Sequence, residues 1–349
     1  MKTLKTFFLL SGLLLCLFFP QDSKAQNLVP MRGIVLSVED LETVNWPKLA
    51  AENHINTIGT HITPSQVLTF IQSQKGKRFL NECHRYNIDV EHQLHALHDL
   101  LPRDLFEKDS TLFRMDENGR RVADFNCCAN SEKALNIIAE KAAYYAKLLP
   151  ATNHRYYFWL DDNKPICHCP ECSKYSASEQ ALLIENRIIK ELCKYDSKAQ
   201  LAHLAYFATI KAPQKVKPEP GIFLEFAPYE RVLSEPLSNL NAIGRDNKTH
   251  KELLNDLRDN LKVFPAETAV VLEYWLDVSL ASKYKKPAVQ IPWKSNVFKS
   301  DIKTYSQLGL KNITTFGVYM DKDYFERYPN TAYLKEYGQF MSSYDKRRK

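Results

Sequence analysis

The fold is decided by a rhythm that first shows between residues 32 and 59. RGIVLSV (32–38) is a β-branched apolar run, WPKLAAE (46–52) is a short helical pattern, and HINTIG (54–59) is β-rich again. The same alternation continues outward. An amphipathic helical stretch at 65–85 leads to a third strand at 88–95. A long loop and a helix at 131–148 lead to YYFWL (156–160), followed by a helix at 178–195. Strands are expected at 200–205, 222–226, 268–273 and 312–318, and helices at 250–263, 300–308 and 331–344. Eight β-then-α units predict a single (β/α)8 TIM barrel in the α/β class, spanning 26–349. The weakest unit is the proline-rich 210–220, where no long helix is expected. A doubly wound nucleotide-binding sheet is disfavoured, because no glycine fingerprint follows the first strand.

Composition agrees. The 349 residues are 44% hydrophobic and 25% charged, with only 10 glycines, which suits a soluble globular chain without a glycine-rich phosphate cradle. Residues 1–25 have the form of a signal peptide: Lys2 and Lys5, an apolar run from Phe7 to Phe19, then Ser23 and Ala25 at the −3 and −1 positions. The expected location is therefore periplasmic or secreted. The apolar run is short for a membrane span. Leu15 before Cys16 disfavours a lipoprotein, and no stable membrane insertion is expected. Cleavage would remove three lysines and Asp22, taking the net charge from +6 to +4. That charge is small and evenly spread, so nucleic acid is not an expected partner. Sequence says nothing about oligomeric state.

Barrel chemistry sits at the C-terminal strand ends. There the sequence places His95 after strand three, Trp159 to Asp162 after strand four, and His203 and Tyr206 after strand five. Glu225 follows on strand six, and Glu273-Tyr274-Trp275 on strand seven. Aromatic faces stack on sugar rings while carboxylates and histidines bond hydroxyls, so a glycan or polysaccharide is the expected substrate. Glycoside hydrolysis normally uses two carboxyl groups. Asp162 is assigned as general acid with Asp161 as its orienting partner, and Glu273 as base or nucleophile with Glu225 as substitute. Trp159, Tyr206, Tyr274, Trp275 and Trp293 form the expected sugar platform, with His95 and His203 on hydroxyls. One alternative is a glycan-binding barrel without turnover. Another is a metal-dependent hydrolase built from His61, His92, His95 and His203, although His92 and His95 fall on opposite strand faces. No organic cofactor is expected.

Cys167-His168-Cys169-Pro170-Glu171-Cys172 follows the strand-four carboxylates. This C-x-C-x-x-C run suits a structural zinc whose fourth ligand is Cys128 or Cys127. Disulfides are the competing reading in an exported chain. Either would staple the loops after strands three and four. Cys83 and Cys193 fall in helical stretches and are expected to be buried single thiols.

Several of these segments resemble one family. They are 95–103, Phe113-Arg114-Met115, Asn126 with Cys128, 157–172, and 201–206 leading to 218–228. They are similar to exported Bacteroidetes-type proteins grouped as domain of unknown function 4838. The resemblance implies a glycosidase-like TIM barrel distantly akin to family 20 glycoside hydrolases. Where that family has an Asp-Glu pair after strand four, this chain has Asp161-Asp162. The departure counts against substrate-assisted hexosaminidase chemistry.

Overall fold

The computed structural model describes residues 31–346; the expected signal peptide and Cys16 lie outside them. The strands are β1 (Arg32–Ser37), β2 (Thr57–His61), β3 (Asp89–His95), β4 (Arg155–Trp159), β5 (Gln200–Ala205), β6 (Ile222–Phe226), β7 (Val270–Glu273) and β8 (Asn312–Phe316). They pair in chain order, all parallel, and β8 closes on β1. The (β/α)8 barrel expected from the alternation is the observed fold.

Local chemistry moves some boundaries. His54 takes a left-handed turn (φ 59°), so β2 starts three residues later than the HINTIG run suggests. The helical stretch at 65–85 is two helices, Pro64–Gln72 and Gln74–Arg85. They break at Ser73, whose hydroxyl caps the second by accepting from the Gly76 N–H. Gly76 has no room for a side chain, since a Cβ there would meet the Phe70 carbonyl oxygen at 2.0 Å. Between β5 and β6 only a 3-10 turn, Phe207–Thr209, forms before the proline-rich connection.

Both faces of the strands are buried, as parallel barrels require. Tyr157, Ala202, Phe223, Val270 and Leu272 fill the interior, while Ile58, Val90, Phe158, Leu224 and Val271 pack towards the helices. This alternation sets which strand-end residue can reach the barrel mouth. On β7 and just beyond, Leu272 and Tyr274 face inward; Glu273 and Trp275 face the helices.

Candidate active site at the barrel mouth

A cavity of about 690 Å3 opens at the C-terminal ends of the strands. Trp159 and Leu272 lie deep in it, and His61, His95, Asp162 and Asp277 line it. Two imidazoles are fixed by backbone carbonyls. His61 Nδ1 lies 2.8 Å from the Gln93 oxygen and His95 Nδ1 lies 2.7 Å from the Leu160 oxygen. A carbonyl can only accept, so each Nδ1 carries a proton and donates it. The rings stand edge to face, 5.6 Å apart. Burial, with His95 adding to it, lowers the His61 pKa to about 3, so His61 is neutral at any physiological pH.

Asp162 is exposed to the cavity. Its Oδ1 accepts from the Tyr206 hydroxyl at 3.2 Å and lies 3.8 Å from His95 Nε2. Burial, then the nearby Asp162 charge, pushes the Tyr206 phenol up, which keeps it a donor. Asp277 comes from the loop after β7, three strands round the barrel. It is 5% exposed, and its Oδ1 accepts from Ser279 Oγ at 2.6 Å and Leu280 N at 3.0 Å. Burial raises its carboxyl above the usual range despite those bonds.

The walls are aromatic. Tyr206, Tyr229, Tyr274 and Phe316 form a run of ring contacts with centroids 5.4 to 5.6 Å apart. Tyr284 joins through a 3.1 Å contact between its hydroxyl and that of Tyr229. Tyr284 and Tyr319 both line the cavity with left-handed backbone, at φ 58° and 74°. Bulky residues rarely hold this conformation, and such strain collects at functional sites.

The assigned residues divide sharply. His95, Trp159, Asp162, Tyr206 and Tyr274 all line the cavity. Asp161 is next to it but faces the neighbouring loop. Its carboxylate accepts from His98 N and Asn126 N, while its own N–H donates to Asn126 Oδ1. It clamps two loops and orients Asp162 only through the chain. Glu225 lies inside the barrel below the cavity, accepting from Trp159 Nε1 at 2.9 Å. Burial, with Glu91 adding to it, raises its pKa well above normal.

Four assignments are corrected by strand alternation and loop course. Glu273 does not face Asp162 across the mouth; it points outward to Arg231 Nη1 at 2.6 Å and accepts from the Tyr305 hydroxyl. Trp275 also points outward, donating to Asp301. His203 is enclosed between Glu185 and Ser178 on the Ala177–Tyr195 helix and stacks on Phe264. Trp293 sits on the far side of the β7 loop, donating to Glu336. Conversely, Asp277 and Tyr319 stand just past strands seven and eight in the sequence, and His61 enters the sequence reading only as a metal candidate. Tyr229 and Tyr284 lie in long loops, where periodicity gives no signal.

Cys128, Cys167, Cys169 and Cys172 bring four buried sulfurs together, all within 4.8 Å of one another. Cys128 Sγ is 3.8 Å from the sulfurs of both Cys169 and Cys172. A tetrahedron with metal–sulfur bonds near 2.3 Å has edges of about 3.8 Å, whereas a disulfide requires about 2.05 Å. The four thiols can therefore hold a metal ion, and Cys128 rather than Cys127 completes the set. Backbone N–H groups of Met115 and Cys172 point at Cys167 and Cys169 sulfurs, which suits thiolate charge. Gln180 ties the loop to its helix through the Cys167 and Cys172 carbonyls. Cys83 is buried as expected, whereas Cys193 is exposed.

The family model "Domain of unknown function (DUF4838)" matches residues 40–344. The chain belongs to this family. The match names no source organism, and no curated protein matches this chain in sequence. Its structural neighbours include glycoside hydrolases. One is a GH20 module of the pneumococcal exo-β-D-N-acetylglucosaminidase StrH, at 8% identity and TM-score 0.47, covering 90% of this chain and 85% of that one. Another is a GH18 chitinase from Pseudoalteromonas aurantia, at 8% identity and TM-score 0.45, covering 89% and 98%. A D-allulose 3-epimerase from a Methylomonas species is equally similar, at 9% identity and TM-score 0.45, covering 90% and 98%. Likeness at this level assigns no reaction.

Proposed function

We propose that the chain is an exported glycoside hydrolase acting at the barrel mouth, with Asp162 and Asp277 as its two carboxyl groups. The observation that carries this reading is Asp162 itself, exposed in an aromatic-walled cavity and hydrogen-bonded by Tyr206 beside His95. Burial raises the pKa of Asp277, which suits the group that holds a proton for the leaving oxygen. Asp162 suits the base or nucleophile. This exchanges the acid role expected for Asp162 with its partner and replaces Glu273. Trp159, Tyr206 and Tyr274 offer ring faces and edges to the sugar, the Nε2 of neutral His61 accepts from its hydroxyls, and His95 stands beside them.

Zinc is the ion proposed for the four thiols. All four coordination positions would be filled by protein, leaving none for water, so its role would be structural.

Asp162→Asn and Asp277→Asn, assayed on a panel of aryl glycosides and natural glycans, test the reaction. Each is expected to lose at least about 100-fold in turnover with the fold retained; wild-type rates in both would overturn it. A second reading, glycan binding without turnover, is favoured by one observation: Asp277 Oδ1 already caps the Val278–Ala281 helix. That reading predicts calorimetric binding with no release of reducing ends.

A further inference from the structure

A second cavity, of about 470 Å3, adjoins the first and shares Tyr274 and Asp277 with it as a common wall. It is formed by the loops after β6 and β7, on the same rim of the barrel. Its size falls in the range of small-ligand sites; the half-buried Trp293 supplies an apolar face, while Trp275, 7% exposed and packed on Phe298, presents only an edge.

The two cavities differ in charge. The first is lined by Glu39, Asp162 and Asp277 and by no lysine or arginine, although Glu39 is paired with Lys286 at 2.7 Å. The second is lined by Arg231, Arg245 and Lys294, with Asp277 its one acidic lining residue. Arg231 is already neutralised, held by Glu273 and Asp301 at 2.6 and 2.7 Å. Arg245 and Lys294 are not: Arg245 donates to the Tyr229 hydroxyl at 2.9 Å and Lys294 to the Ser234 carbonyl at 3.4 Å. Both are exposed and neither hydrogen-bond partner carries charge, though Arg245 also feels Asp277 across the shared wall. Arg245 also lies 4.4 Å over the Tyr229 ring, which fixes the guanidinium at the boundary between the cavities.

We infer that the second cavity is a subsite for a further sugar unit bearing an anionic group, a carboxylate or a sulfate, bound by Arg245 and Lys294 beside Trp293. This rests on the glycan reading of the mouth and narrows it to acidic glycans. The neutral portion occupies the first cavity, where an anion would meet the Asp162 carboxylate, and the chain passes over Tyr274 to place its charge at the second.

The test is calorimetry with the full chain on hexasaccharides that share a backbone and differ in charge. One set is chondroitin sulfate, desulfated chondroitin, and its carboxyl-reduced form; the other is xylohexaose with and without uronate branches. At least one acidic member is expected to bind tenfold or more tightly than its neutral counterpart, and the sulfated and carboxylated arms identify the anion. The preference should shrink with added salt. Arg245→Gln and Lys294→Gln should each cut the acidic-to-neutral affinity ratio by about tenfold, and Arg245→Lys should restore part of it. Equal binding of acidic and neutral members, or an unchanged ratio in the double variant, overturns the inference and leaves the glycan reading standing. Failure of every member to bind overturns both.

Discussion

Glu273→Gln separates a structural carboxylate from a catalytic one. The side chains of Glu273, Arg231 and Asp301 are fully enclosed, so water does not screen their interaction. Breaking a buried ion pair costs about 3–5 kcal/mol, because the surviving charge is left without its partner. Here Asp301 still holds Arg231, and a glutamine oxygen still accepts from Tyr305. Burial also raises the Glu273 pKa against the pull of Arg231, which lowers the stake further. The expected loss is therefore at the lower end, about 3 kcal/mol. At about 2.1 cal/mol/K per residue, a barrel of roughly 320 residues unfolds with an entropy near 0.7 kcal/mol/K, so Tm should fall by about 4–5 °C. Differential scanning calorimetry measures this, and turnover at 25 °C should stay within about threefold of wild type. Asp162→Asn should do the reverse, leaving Tm unchanged and removing turnover. An E273Q protein as stable as wild type, or one that is folded but inactive beside an active D162N, would refute the reasoning.

Purified chain should hold about one metal ion, and Cys169→Ser should lose it and lower Tm by several degrees; a metal-free wild type of equal Tm would dismiss the site. The His92 pKa is lowered to about 4 by burial, so the folded state binds fewer protons than the unfolded chain between that value and 6.5. Its contribution is complete above pH 6.5 and is lost as pH falls towards 4. Denaturant midpoints for His92→Gln should accordingly show a shallower decline over that window than wild type. Tyr319→Gly should relieve about 1 kcal/mol of left-handed backbone strain and leave Tm level or slightly higher while weakening glycan affinity. A large drop in Tm would show that the ring is needed for packing.

The barrel was legible because strands buried on both faces leave continuous apolar runs such as 32–38 and 222–226, whatever the residue-level boundary. Side-chain direction was less legible, because a strand turns a side chain over at every residue. Tyr274 and Trp275 are adjacent, and His203 and Tyr206 are three apart, so one member of each pair had to face away from the mouth. That conflict was present in the sequence, although which member faced in was not. The thiols at 167, 169 and 172, which could hold a metal ion, were legible from local spacing. The choice of Cys128 over Cys127 depends on how a long loop folds back. Tyr229 and Tyr284 reach the cavity from loops set by tertiary contacts alone.

The cysteine cluster also bears on biogenesis. Sulfurs 3.8 Å apart are close enough for oxidation to draw a pair into a disulfide, and Cys127, buried alongside, offers a spare thiol. In an exported chain, metallation and oxidation would then compete for the same atoms during folding. A metal ion would have to arrive first, because a bridge from Cys128 to Cys169 would remove two of its four ligands. Refolding in oxidant should give active barrel when zinc is added at the start, and misbridged barrel when it is added late.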